Sequence, residues 1–239
     1  MASLALRLLP FTVTSIIYIV HWIPKYGGTS RVAQHDSYQT VTAKCLPILC
    51  LCGFVLSYRR NHPNKQYLHL ILAGLVFSGF GDAFLVFNET HFIHGLLSFA
   101  VGHVMYTVAM GFKKLKLQLL IIIIPMSIAT YFYLIPWVEE ETMKFCGCIY
   151  GVLICTMVWR AMARSNPGSL SWQEVCGCAG AISFYLSDFV LCVNKFRYPV
   201  PQGYFIIMST YYLAQLGISL SVVPVIVNTR KKKLYWTNG

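Results

Sequence analysis

Long apolar runs separated by short polar segments dominate the chain from one end to the other. Each run approaches the roughly 20 residues that a helix needs to cross the hydrocarbon core of a bilayer. The eight runs, of which the second is the shortest, are Leu4 to Trp22, Ala43 to Tyr58, Tyr67 to Phe87, Phe92 to Phe112, Leu117 to Leu134, Met143 to Ala163, Trp172 to Val193 and Tyr204 to Val227. The pattern predicts an all-α, polytopic membrane protein with about eight transmembrane helices in one domain, residues 1–239.

The composition supports a membrane protein. Hydrophobic residues make up 56% of the chain and charged residues 11%, whereas soluble domains are usually about 45–50% apolar. The net charge of +11 could indicate nucleic-acid binding, but the basic residues form short clusters between apolar runs, as loops facing the cytosol or anionic headgroups do. The first run is followed by Trp22-Ile23-Pro24 rather than by a small-residue cleavage site, which indicates a retained span.

The distribution of Lys and Arg predicts the orientation of the spans. Thirteen of the 19 lie at the amino end, in the even-numbered loops or in the carboxyl-terminal tail. The other six, on the opposite side, are Lys25, Arg31, Lys44, Lys144, Lys195 and Arg197. Because cytosolic loops are enriched in basic residues, both termini are predicted to be cytosolic.

Two spans each contain an aspartic acid within apolar sequence, Asp82 in the third and Asp188 in the seventh. An ionisable group in hydrocarbon costs several kcal/mol, so each acid is a functional-site hypothesis by default. Residues 179–194 can be laid over 73–88 so that Ala, Gly, Asp and Asn coincide. This predicts two four-helix halves of the same orientation, residues 1–112 and 113–239, with both acids in the membrane half away from the cytosol. The alternative is chance similarity between two apolar helices.

Small residues precede both acids at helical spacing. Gly74, Ser78 and Asp82 recur every four residues and therefore share one face of a helix. Such stripes let helix backbones approach closely in lipid, so Asp82 is predicted to face protein. The corresponding small residues of the seventh span are Gly177, Gly180, Ala181 and Ser187.

Other polar residues of the spans are candidates for binding a substrate or orienting water. Lys44 opens the second span, and the alternative is that its side chain only extends to the lipid headgroups. His103 is either a site residue or a core imidazole bonded to a neighbouring hydroxyl. The full set of substrate-binding candidates is Lys44, Ser78, Asn88, His103, Tyr106, Ser187, Asn194, Tyr211 and Gln215.

The nine cysteines do not suggest a metal site or a disulfide framework. Most lie inside apolar runs, where a free thiol packs as a small hydrophobe. Those spaced two residues apart, such as Cys176 and Cys178, point to nearly opposite faces of a helix. We therefore expect no metal.

Two neighbouring carboxyls in an apolar site suit one kind of chemistry. They cannot both ionise easily, so one is expected to hold a proton while the other is charged. That division favours acid-catalysed cleavage through a cationic, oxocarbenium-like transition state. The apolar surroundings predict a lipid substrate that enters sideways. The alternatives are a structural ion pair with Lys44 and a proton relay.

Two other functional classes fit part of the pattern. Gly79-Phe80-Gly81-Asp82 matches the Gly-x-Gly-Asp signature of intramembrane aspartyl proteases, but Leu186-Ser187-Asp188 follows it, where a Tyr-Asp pair should precede it. The Pro-Ala-Leu tripeptide of that group is also missing from the last span. A proton-coupled transporter would suit the paired halves and the buried acids equally well.

At these same residues the chain resembles the lysoplasmalogenase family of eight-span membrane hydrolases, the YhhN-like or transmembrane protein 86 proteins. The matching motifs are Lys44-x-x-Pro47, Ser78-x-x-Gly81-Asp82-x-x-Leu85, Gly102-His103-x-x-Tyr106, Ser187-Asp188-x-x-Leu191 and Tyr211-Tyr212-x-Ala214-Gln215. They extend from the second span to the eighth, and their combined order is more specific than any one motif.

The resemblance implies hydrolysis of the vinyl-ether bond of lysoplasmalogens to a fatty aldehyde and glycerophosphocholine or glycerophosphoethanolamine, without a metal or organic cofactor. One of Asp82 and Asp188 would donate a proton to carbon and the other would stabilise the cation, with the assignment left open. The resemblance also implies the endoplasmic reticulum membrane, whose thinner bilayer would suit the short second span.

Overall fold

The computed structural model describes residues 3–26, 37–164 and 171–224, except for the side chains of residues 25, 26 and 88–90. Helices make up nearly all of these ranges, which contain no strand. Eight of the helices have 14 residues or more. The helices are α1 (Leu4–Ile17), α2 (Ile23–Tyr26), α3 (Tyr38–Leu56), α4 (Lys65–Val86), α5 (Asn88–Met110), α6 (Leu120–Leu134), α7 (Glu141–Arg164), α8 (Trp172–Cys192) and α9 (Gly203–Leu220).

Short π and 3-10 turns lengthen three of these helices. A π turn over Tyr18–Trp22 joins α1 to α2, and another over Val193–Arg197 continues α8. Turns of 3-10 helix over Leu117–Leu119 and Ile135–Trp137 flank α6. With these extensions, seven helical stretches of the described chain are long and apolar enough to cross a membrane.

The eighth long helix, α9, has 18 residues and is not one of these seven stretches. Its buried residues include Tyr211, Tyr212 and Gln215. The prediction of an all-α protein with about eight membrane-spanning helices is confirmed. Residues 225–227, the predicted end of this span, lie outside the described residues.

The second span is longer than the apolar run suggested. The α3 helix begins at Tyr38, five residues before Ala43, because the Ser37 hydroxyl caps its first turn by accepting a hydrogen bond of 3.2 Å from the Thr40 amide. The helix has 19 residues, so the prediction of a short second span is wrong. A span of this length gives no reason to prefer a thin bilayer.

Glycines let two pairs of helices pack closely. On α4, Gly74 lies against the ring of Tyr106 of α5, and Gly102 of α5 lies beside Ser78. On α8, Gly180 faces the backbone of α9 so closely that an added Cβ would lie 2.7 Å from the carbonyl oxygen of Ala214. Asp82 is buried inside the bundle. The prediction that the small-residue stripe turns Asp82 toward protein is confirmed.

The helix pairs α4–α5 and α8–α9 occupy corresponding places in the chain, and α5 also packs against α7 and α3 against α9. The division into halves 1–112 and 113–239 stays a prediction. In contrast to the other long helices, α6 is peripheral, and Ile123 is its buried residue. A cavity lies between α6, α7 and α8.

Candidate active site

Asp82 lies in the last turn of α4 and is 2% exposed. Its Oδ2 accepts a hydrogen bond of 2.6 Å from the hydroxyl of Tyr211 of α9. Lys44 of α3 places its Nζ 3.6 Å from Oδ1 of the same carboxyl. Because a neighbouring cation favours the ionised carboxyl, the position of Lys44 supports a negatively charged Asp82.

The position of Lys44 decides between the two interpretations of this residue. Lys44 is 3% exposed, and its side chain points into the bundle toward Asp82. The alternative that it extends to the headgroups is wrong. The backbone at this residue is also bonded to α9, since the Tyr212 hydroxyl donates a hydrogen bond of 2.8 Å to the carbonyl oxygen of Lys44.

Asp188 on α8 belongs to a second group of polar side chains. Its Oδ2 accepts a hydrogen bond of 2.5 Å from the hydroxyl of Tyr150 of α7. That hydroxyl lies 2.8 Å from Nε2 of His103 of α5, and Nε2 lies 3.6 Å from Oδ2 of Asp188. His103 is fully buried, and its Nδ1 has no hydrogen-bond partner in the described part of the chain.

Aromatic rings connect the two groups. The ring of Phe184 lies 4.7 Å from that of His103 and 5.4 Å from that of Tyr211, measured between centroids. Phe184 therefore contacts one member of each group. Each acid has its own hydrogen-bond donor, Tyr211 for Asp82 and Tyr150 for Asp188. That one carboxyl holds a proton while the other is charged stays a prediction.

Asp188 is more exposed than Asp82 and lies beside a cavity. The side chain of Asp188 is 15% exposed and lines the cavity between α6, α7 and α8, which has a volume of about 320 Å³. Most of the cavity wall is apolar, and its charged residues are Asp188 and Lys144. This arrangement brings an acid with a hydroxyl donor to the surface of a hydrocarbon-lined space.

Three other predicted residues lie on the faces where α4, α5 and α9 meet. The Tyr106 hydroxyl donates a hydrogen bond of 2.7 Å to Oε1 of Gln215, which links α5 to α9. Ser78 is buried one helical turn before Asp82. Tyr106, Gln215 and Ser78 thus lie within the same polar interior as Asp82.

Two predicted residues form hydrogen bonds with the backbone of α9 or of the turn before it. The Ser187 hydroxyl donates a hydrogen bond of 3.0 Å to the carbonyl oxygen of Ile207, which links α8 to α9. Oδ1 of Asn194 accepts a hydrogen bond of 2.9 Å from the Val200 amide, in the turn before α9. The side chain of Asn88 lies outside the described side chains.

Tyr150 and Phe184 were not among the predicted residues. Tyr150 lies inside the apolar sixth run, where its hydroxyl was the available signal, because a hydroxyl within a membrane span needs a hydrogen-bond partner. Phe184 could not be distinguished from the other aromatic residues of the spans. The described residues contain no group of His, Cys, Asp and Glu side chains suited to a metal ion, and the nine cysteines are free thiols.

The chain is similar in sequence to known proteins over most of its length. A sequence model of the YhhN family matches residues 39–222. Lysoplasmalogenase TMEM86A of Homo sapiens is 37% identical over 224 residues, which cover 91% of this chain and 88% of the relative. Lysoplasmalogenase TMEM86B of Homo sapiens is 35% identical over 214 residues, covering 90% and 85%. TMEM86B of Mus musculus is 33% identical over 216 residues, covering 90% and 86%.

No solved structure is similar enough to match the chain. The family match extends from the second span to the eighth, which is the same part of the chain that carries the five motifs. The resemblance seen in those motifs is therefore confirmed. The chain belongs to the YhhN family.

Proposed function

We propose that this protein is a lysoplasmalogenase. It hydrolyses the vinyl-ether bond of alkenyl-glycerophosphocholine and alkenyl-glycerophosphoethanolamine to a fatty aldehyde and glycerophosphocholine or glycerophosphoethanolamine. The observation that carries the proposal is the position of Asp188, which accepts a hydrogen bond from Tyr150 at the wall of an apolar cavity inside the membrane-spanning helices. The relatives named lysoplasmalogenase, 33–37% identical over most of the chain, support it.

The chemistry requires one acid and one water molecule. A proton adds to the alkenyl carbon that is not bonded to oxygen, and the carbon–carbon double bond becomes an oxocarbenium ion. Water adds to the cationic carbon and gives one proton back to the donor carboxylate, which restores the acid and leaves a hemiacetal. The hemiacetal hydroxyl then loses its proton while the carbon–oxygen bond to glycerol breaks and the glycerol oxygen takes up a proton. The products are the fatty aldehyde and glycerophosphocholine or glycerophosphoethanolamine. The net reaction consumes one water molecule, and no redox step occurs.

We assign different roles to the two acids. Asp188 donates the proton, because it lies at the cavity wall and one of its oxygens is free of the Tyr150 hydrogen bond. Asp82, held beside Lys44 and Tyr211, remains a carboxylate and stabilises the developing cation across the aromatic layer that contains Phe184. Electrostatic stabilisation of this kind is strong where water is excluded.

The decisive experiment is an aldehyde-release assay on purified protein in detergent. We expect each lysoplasmalogen molecule to give one molecule of fatty aldehyde and one of glycerophosphocholine or glycerophosphoethanolamine. Detergent micelles have no second compartment, so a proton-coupled transporter would show no turnover there. Absence of aldehyde from protein that remains monodisperse and folded would reject the proposal.

We also propose that the protein resides in the endoplasmic reticulum membrane with both termini in the cytosol. The orientation is supported by the thirteen of 19 basic residues on the side of the termini. Epitope tags at the two termini should become accessible to antibody once the plasma membrane alone is permeabilised. Tags that require permeabilisation of the internal membranes would contradict the orientation.

A further inference from the structure

The cavity beside Asp188 has the size and shape of a ligand site. Its volume of about 320 Å³ falls within the range of about 300–1,000 Å³ that is typical of small-molecule sites. On α7 its wall extends from Met143 to Cys155, which corresponds to about 18 Å along the helix axis. The cavity is therefore elongated along the direction in which lipid chains lie.

The charged groups of the wall are arranged along this direction. Lys144 lies in the first turn of α7, at the end of the span. Tyr150 and Asp188 lie farther in, with Tyr150 about 9 Å along the helix axis from Lys144. The Lys144 ammonium forms an ion pair of 2.6 Å with Glu141, whose side chain is 84% exposed. An exposed pair of this kind is weak, so an incoming phosphate can compete for the ammonium group.

Two glycines keep the cavity open on the α7 side. Gly147 and Gly151 are spaced four residues apart, and both line the cavity. A Cβ added at either position would have no atom within 4 Å. The neighbouring helix α6 is peripheral, with Ile123 as its buried residue.

We propose that this cavity binds the lysolipid substrate along its length. The phosphate lies at Lys144, the vinyl ether lies beside Asp188 and Tyr150, and the hydrocarbon chain runs past Gly151 toward Ile154 and Cys155. This order matches the lipid itself, in which the glycerol backbone separates an anionic phosphate from the vinyl ether and the chain. The inference rests on the proposed function, since it assigns the substrate-binding surface of the same site.

A photoreactive lipid tests the site without turnover. The probe is a saturated alkyl-ether lysophosphocholine with a diazirine at the chain end, which has no double bond to protonate. Irradiation in detergent, followed by peptide mass spectrometry, should label the segments of α6 and α7 near Ile154 and Cys155, and excess unmodified alkyl lysophosphocholine should suppress the labelling. Labelling that is not suppressed, or that is suppressed only on other helices, overturns the proposal.

A space-filling substitution tests the cavity itself. Gly151→Leu should lower the suppressible labelling by about tenfold, equivalent to about 1.4 kcal/mol, because the added side chain occupies the chain path. The matched control is Gly53→Leu on α3, at a glycine whose Cβ would also meet no atom within 4 Å but which lies away from the cavity. Equal labelling by the two variants overturns the proposal.

The phosphate position is tested separately. Lys144→Gln should weaken labelling by the phosphocholine probe by about threefold to tenfold, through loss of one charge-assisted contact. It should leave labelling by the matching uncharged alkyl glycerol probe unchanged. Lys65→Gln, at the exposed first residue of α4, is the control and should affect neither probe. An equal effect of Lys144→Gln on both probes would remove Lys144 from the site.

Binding and turnover have separable outcomes. If the cavity is labelled suppressibly but no aldehyde is released, the binding site is supported and the proposed function is rejected. If aldehyde is released but the labelling lies elsewhere, the function is supported and this binding site is rejected.

Discussion

The hydroxyl of Tyr150 on α7 donates a hydrogen bond of 2.5 Å to Oδ2 of Asp188 on α8. The same hydroxyl lies 2.8 Å from Nε2 of His103 on α5. Three helices therefore meet at one acid, and that acid lines a cavity. The other acid, Asp82, lies beside Lys44 in the bundle interior, with 3.6 Å between Nζ and Oδ1. The unequal surroundings of the two carboxyls are the basis of the following predictions.

Asp188→Asn should reduce aldehyde release at least a hundredfold, because an amide cannot donate the proton and general acid catalysis contributes about 10²–10⁴-fold. The amide has nearly the same shape, so the thermal unfolding midpoint in detergent should change little. The assay compares kcat of the variant and parent protein at matched folded concentration. Substantial remaining activity would remove Asp188 from catalysis.

Asp82→Asn should also abolish aldehyde release, since it removes the negative charge assigned to stabilising the cation. This substitution leaves Lys44 buried without a counter-ion, so stability must be measured along with activity. The double variant Lys44→Met/Asp82→Asn, which removes both charges, should be folded but inactive. Activity in the folded double variant would contradict the catalytic role of Asp82.

Lys44→Met alone should destabilise the protein, because it leaves a buried carboxylate unpaired. Breaking one partner of a buried pair typically costs about 3–5 kcal/mol. We expect a clearly lower unfolding midpoint in detergent than for Lys65→Met, which changes an exposed residue at the start of α4. If both variants unfold at the same temperature, the ion pair contributes nothing to the fold.

Tyr150→Phe should lower kcat by about tenfold to a hundredfold, the equivalent of losing a hydrogen bond of about 1.5–3 kcal/mol to an ionisable group. KM should change less, since the ring remains in the cavity wall. Tyr185→Phe is the matched control, because Tyr185 lines the same cavity but its hydroxyl lies 2.6 Å from Oγ1 of Thr130. Similar losses in the two variants would indicate a general packing effect.

Reaction in deuterium oxide should be slower and should place one deuterium on the carbon next to the aldehyde group. The reason is that proton transfer to carbon is the step assigned to the acid, and the transferred hydrogen exchanges with solvent. Mass spectrometry of the trapped aldehyde measures the incorporation. Aldehyde without deuterium at that carbon would exclude carbon protonation.

Gly180→Leu should destabilise the protein by about 1–3 kcal/mol or more, since its Cβ would lie 2.7 Å from a backbone oxygen of α9 that cannot move aside independently. Gly53→Leu adds the same side chain where no atom lies within 4 Å. The comparison of unfolding midpoints checks whether the close α8–α9 contact supports the fold. Equal unfolding midpoints of the two variants would show that the close α8–α9 contact does not support the fold.

The sequence by itself determined the number and type of the spans and the two acids. A bilayer demands helices of one length and composition, so apolar runs alone identify them. An acid inside such a run is costly, so Asp82 and Asp188 were recognisable as site residues. The start of α3 was missed by five residues because Ser37 and the polar first turn lie before the apolar run.

Only the tertiary structure decided which partners each acid has. Tyr211 is 129 residues from Asp82, and Tyr150 is 38 residues from Asp188. Most spans are apolar on every side, so apart from the face of α4 that carries Gly74, Ser78 and Asp82 the sequence pattern does not mark the faces that meet other helices. Helix packing turned Lys44 inward and left a cavity beside Asp188, because close contacts at Gly74 and Gly180 fix how the helices are rotated and spaced.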